Sequence, residues 1–174
     1  EEGFFFFFVN EAICIHCGKC DHICGFVAIE KRAEPFSLPK AYGVKHLDEY
    51  VRLNSRSGAA FIAFSDIILK QGGVIYGAVM QKDFSVRHER ATNGTERDKM
   101  KKAKYVQSNT IGIYPQVGKD LKVGKCVLFS GTPCQVAGLR AYLKEMKIDD
   151  SKLCCCDLVC HGVPSPAIWH DYIS

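Results

Sequence analysis

Residues 74–80 read Val-Ile-Tyr-Gly-Ala-Val-Met, seven positions without a charge, directly after Gly72-Gly73. A short apolar run bounded by a turn signal predicts a strand buried on both faces. Residues 125–129 predict another strand of that kind, and residues 153–159 a third strand. Residues 84–90 alternate apolar and charged side chains at first and predict a partner strand. Helical spacing fills the gaps. Residues 59–71 form a helical pattern that ends at Gly72-Gly73 as a C-cap should; residues 136–145 form another, and the chain reaches Ser174 in a helical stretch. Strands alternating with helices predict an α/β domain with a mainly parallel sheet over residues 55–174. In such sheets, sites lie beyond the carboxyl ends of strands. Cys134 and Cys160 each follow a predicted strand, in loops that also hold glycine and proline, and the pair predicts one site.

Upstream the grain differs. Residues 4–9 predict a strand leading into a cysteine-rich loop, and residues 26–29 a short strand leaving it. Pro35, Pro39 and Gly43 amid mixed charge mark residues 31–54 as a linker, which leaves residues 1–30 as a small module of their own.

That module holds the strongest chemical signal. Cys14, Cys17, Cys20 and Cys24 are spaced C-x2-C-x2-C-x3-C, the bacterial run that holds a [4Fe–4S] cluster. Gly18 lets the loop close and brings backbone N–H groups toward the sulfurs. Proline normally follows the fourth cysteine, which ligates the other cluster of a two-cluster ferredoxin; here Gly25 follows Cys24. Zinc sites instead pair two short Cys/His spacings across a dozen or more residues. The spacing therefore favours iron–sulfur, with His16 and His22 as loop residues. The fold expected is a partial α+β ferredoxin-like 4Fe-4S module fused to the α/β domain.

Composition narrows the setting. The chain has 174 residues, 47% hydrophobic and 24% charged, enough for a moderate domain and an appendage. Ten cysteines suit a disulfide scaffold, but Cys154, Cys155 and Cys156 are consecutive and make a poor one, so a reducing cytoplasm is expected. No stretch reaches the ~20 apolar residues of a membrane span. Residues 82–104 carry eight Lys/Arg against four Asp/Glu, a solvated face in most settings. With a net charge of +4 and no base-stacking motif, nucleic acid is not an expected partner.

Five segments resemble, in order, the coenzyme F-420 hydrogenase/dehydrogenase beta subunit family. They are Ser-Arg-Ser-Gly at 55–58, Gly-Gly-Val-Ile-Tyr-Gly-Ala at 72–78, Lys-Tyr-Val-Gln-Ser at 104–108, Gly-Thr-Pro-Cys-Gln at 131–135 and Asp-Leu-Val-Cys-His-Gly-Val-Pro-Ser at 157–165. The resemblance implies a fragment of an iron–sulfur flavoprotein oxidoreductase that passes electrons between [4Fe–4S] clusters and a two-electron carrier, coenzyme F-420 or another acceptor, through FAD. Its partner would be a hydrogenase, a dehydrogenase or a ferredoxin. The alternative is a non-catalytic electron-transfer module that docks a partner enzyme. Ser55, Ser57 and Gly58 open a helix and are candidates to hold a phosphate or a flavin edge, with Lys104 as a cation and Gly131 and Thr132 bringing backbone close. The competing roles are helix capping for the serines and a surface lysine for Lys104. In the hydrogenase branch, cysteines in similar loops help bind a cluster beside the flavin, which implies Cys134, Cys156 and Cys160 as ligands. A redox-active or structural thiol pair is the other reading. Cys126 reads as core.

Overall fold

Five strands form one sheet in the order β3-β2-β1-β4-β5 in the computed structural model, which describes residues 3–4, 8–23 and 39–174. The strands are β1 Val74–Met80, β2 Val86–Ala91, β3 Ser108–Asn109, β4 Val127–Gly131 and β5 Leu153–Asp157. The helices are α1 Lys19–Ile23, α2 Glu49–Leu53, α3 Ala60–Lys70, α4 Gly94–Asp98, α5 Ile113–Lys122, α6 Pro133–Glu145 and α7 Pro166–Ile173. Three of the four strand pairings are parallel; β1 and β2 pair antiparallel as a hairpin. The expected α/β domain is therefore present, with a mixed and mostly parallel sheet.

The apolar runs land where burial requires them. On one face Val74, Tyr76, Val127 and Phe129 meet Ile113, Val117 and Leu121 of α5 and Val136, Leu139 and Leu143 of α6. On the other, Ile75, Val79 and Leu128 meet Met100 and the α3 side chains Phe61, Ile68 and Leu69. Burying such side chains on both faces supplies the main drive to fold, roughly 1.5–3 kcal/mol for each large aliphatic group.

Several expectations shift. Strand β2 starts at Val86, because Phe84 has φ +61° and belongs to the tight turn closed by Gln81 N donating to Ser85 O at 2.8 Å. Helix α6 begins three residues early, at Pro133, where a missing N–H costs nothing. Helix α2 forms inside the expected linker, capped by Asp48. Upstream, Phe4, Phe8 and Val9 lie in no strand, and residues 8–23 make a turn followed by α1. A ferredoxin-like module is not shown: an isolated strand leaves its backbone groups unpaired, and the partner expected at 26–29 lies outside the described residues, as does Cys24. Among the described residues, no helix is long and apolar enough to cross a membrane.

Candidate functional site

Strands β4 and β5 are parallel neighbours, so the loops after them leave from the same sheet edge, as predicted from sequence. Leu158 N donates to Gly131 O at 2.9 Å and extends the ladder one residue beyond the strands. Thr132 then caps α6 in a reciprocal box: its hydroxyl accepts from the Gln135 backbone N–H, and its own N–H donates to Gln135 Oε1 at 3.0 Å. Cys134 follows on the exposed first turn, with its sulfur 3.1 Å from Thr132 Oγ1. Cys160 is also exposed, its Sγ 3.8 Å from Gly162 O.

Residues 104–108 join this edge through Gln135 and His88. Gln135 Nε2 donates to Ser108 O at 3.3 Å, and Tyr114 Oη donates to Gln135 O at 2.9 Å. The His88 ring lies between Ser108 Oγ, 2.7 Å from Nδ1, and the Ser130 carbonyl, 3.0 Å from Nε2. It stacks on Phe129 with centroids 5.2 Å apart. Burial pushes the His88 pKa below its usual value, against the opposing pull of the Ser130 carbonyl. Sequence reasoning assigned His88 no role, yet a signal existed: it sits at an inward position of β2 between charged neighbours, where an apolar residue is the norm.

The other candidates divide. Ser55 is buried and its Oγ has no hydrogen-bond partner among the described residues. Neither Ser55 nor Ser57 caps α3, whose N-cap is Ala59 at φ +58° with no side-chain bond, so the capping role falls away. An orphaned buried hydroxyl beside an uncapped helix start fits a bound polar group. Gly58 has a structural reason: a Cβ there would lie 2.0 Å from Val44 O, and its own carbonyl accepts from His46 N at 2.7 Å. Lys104 Nζ donates to the carbonyls of Met100 and Lys101, both at 2.7 Å, and burial pushes its pKa down to about 8. Cys156 is half-buried opposite Ser130 and packs on the Ile75–Leu128 side; burial pushes its thiol pKa up, and Ser130 opposes the shift. Cys155 faces the other side, and burial raises its thiol pKa as well. Cys126 precedes β4 and is only partly buried.

The first three cysteines lie elsewhere. His16 and Gly18 take left-handed φ values of +51° and +70°, which curl the turn, and His16 N–H points at Cys14 Sγ from 3.4 Å. An N–H directed at a thiolate sulfur suits a cluster loop. Cys20 rides on α1, which rests against the last turn of α6 through Lys19 and His22, each 3.8 Å from Glu145. Among the described residues, no group of three His, Cys, Asp or Glu side chains is gathered at metal-binding distance.

The basic run is half ion-paired. Arg87 meets Glu89, Arg90 meets Asp120, Arg97 meets Asp66 and Asp98, and Lys101 meets Asp98. Four of its eight cations are thus tied to carboxylates, and Lys104 to carbonyls.

No curated protein matches the chain. Residues 124–174 do match the family model for the carboxy-terminal region of the coenzyme F420 hydrogenase/dehydrogenase beta subunit, a stretch that holds β4, α6, β5 and both strand-end loops and is similar to the family that the motifs resemble.

Proposed function

We propose that the chain is part of an iron–sulfur flavoprotein subunit that passes electrons between [4Fe–4S] clusters and a two-electron carrier, coenzyme F420 or another acceptor, by way of FAD. The observation that carries this reading is the meeting of residues 104–108 and 131–135 at the carboxyl edge of the sheet, through Ser108, Gln135 and His88. When bound, the flavin supplies the exchange between one-electron and two-electron carriers. The chain's own residues would do the holding. Gly131 and Thr132 offer backbone at the strand end, and Ser55 offers its partnerless hydroxyl. Lys104 holds residues 100–104 through its two carbonyl bonds instead of facing a cofactor. Cys14, Cys17 and Cys20 hold one cluster, with Cys24 as fourth ligand or as ligand of a neighbour. Cys134, Cys156 and Cys160 remain candidates for a second.

A second reading, an electron-transfer module that docks a partner, draws on the exposed Phe8, Ile13 and Ile15 around the cysteine turn. One preparation separates the two. The chain is purified anaerobically and assayed for iron, sulfide, dithionite-bleachable absorbance and FAD binding. Iron and sulfide with FAD binding support the flavoprotein; iron and sulfide without it favour the docking module. Zinc alone would sink the cluster assignment.

A further inference from the structure

The hydrogen bonds of His88 set the polarity of the hydroxyl next to it. Nε2 faces the Ser130 carbonyl oxygen at 3.0 Å, and a carbonyl can only accept, so the ring proton is on Nε2. The ring is 3% exposed and stacked on Phe129, which disfavours an imidazolium, and no carboxylate bonds to it among the described residues. A neutral ring protonated at Nε2 presents Nδ1 as an acceptor. Ser108 Oγ, 2.7 Å away, has one proton and gives it to Nδ1. Two lone pairs are left on that oxygen.

We propose that His88 is a positioning residue that fixes the Ser108 hydroxyl as an acceptor, so the strand-end site reads a ligand N–H or O–H at Ser108 and disfavours a phosphate or carboxylate oxygen there. As applied to FAD, this rests on the flavoprotein reading; a ring imide or a sugar-like hydroxyl is the kind of group selected. Ser108 is suited to the task. It is half-buried on β3, and its carbonyl is tied to Gln135, so the hydroxyl is held beside residues 131–135. The device also explains a buried histidine in a sheet where a leucine would pack without polar demands.

Two measurements test it. In the first, the chain carries ¹⁵N-labelled histidine, and long-range ¹H–¹⁵N spectra report each ring's tautomer, with the His88 signal identified by its absence in His88→Gln. The expected result is a neutral ring protonated at Nε2, whose Nδ1 resonance moves in Ser108→Ala as its donor is lost. A proton on Nδ1, or an imidazolium at neutral pH, overturns the proposal. In the second, FAD is titrated into wild type, Ser108→Ala, His88→Ala, the double variant and His88→Gln, with thermal melts as a check on folding. Ser108→Ala and His88→Ala should each weaken binding roughly three- to tenfold. The double variant should be no weaker than the worse single one, and His88→Gln, whose amide has both N–H donors and a carbonyl acceptor, should recover most of the loss. Additive losses, or full affinity in Ser108→Ala, overturn it. If His88→Ala does not fold, Ser108→Ala and His88→Gln carry the comparison. If wild type binds no FAD, the flavin reading fails while the spectrum still decides the role of His88.

Discussion

Asp120 on α5 ties three elements together with one carboxylate. Its Oδ2 accepts from Tyr76 Oη and from Arg90 Nε, both at 2.6 Å, and its Oδ1 accepts from Arg90 Nη2 at 2.9 Å. Burial pushes the Asp120 pKa up, but the Arg90 and Tyr76 hydrogen bonds and the Arg90 and Lys125 charges outweigh it and hold the pKa below its ordinary value. Burial and the same carboxylate raise the Tyr76 pKa. Because Asp120 binds its proton less readily when folded, its stabilisation is complete above the ordinary pKa near 3.8 and drains as pH falls below it. Asp120→Ala should cost about 3 kcal/mol in urea unfolding at pH 7, since it strands Arg90 and Tyr76. The gap to wild type should narrow near pH 3. Lys104 gives the same sign in an alkaline window: with its pKa near 8 when folded, the folded chain sheds that proton before the unfolded chain does. Stability should therefore rise as pH climbs from about 8 toward 10.5, and Lys104→Met should lack that rise. None of these partners was legible beforehand. Spacing reveals that a residue is polar and inward, as with His88, but not which residue from a distant element will answer it.

At the scale of elements, legibility followed burial. β1, β4, α3 and α6 came through because their apolar runs are dense and bounded by glycine or by the Thr132-Pro133 start; β5 came through over residues 153–157 although none of its side chains is buried. α5 did not. It holds Pro115 and Gly118, both poor helix formers, and survives because Pro115 sits in the first turn and Ile113, Val117 and Leu121 share one buried face. β3, only two residues long, is below the length that a pattern can report. Tertiary packing made both elements. The start of α6 is a different case, because its stability is local. Thr132→Ala removes one half of the capping box and should cost about 1 kcal/mol, read as a lowered urea midpoint with unchanged slope. It should also free the Gln135 backbone N–H and so loosen residues 131–135, which hydrogen exchange at those amides would register.

Across the whole molecule, Cys134 and Cys20 lie toward opposite ends of α6. β4 runs to its carboxyl end at Gly131, and α6 runs back beneath the sheet, so Cys134 sits at the strand-end site and Glu145, with α1 and Cys20 against it, at the other. Positions 134 and 145 are eleven helical steps apart, about 16 Å of helix. The sequence named both sets of thiols, but chain order could not tell that a helix would hold them apart, because that depends on α1 docking on the last turn of α6. The ion pairs from Lys19 and His22 to Glu145 are surface contacts of small worth. Sites this far apart with no shared partner should respond independently to substitution. Cys20→Ser should lower the iron and sulfide content of anaerobically purified chain while changing FAD affinity less than twofold. Cys134→Ser should leave the absorbance of the proposed Cys14–Cys17–Cys20 cluster in place and act only on what is bound at the strand ends. A loss of FAD binding in Cys20→Ser would mean that the two ends form a single site, and would overturn the division of labour along α6.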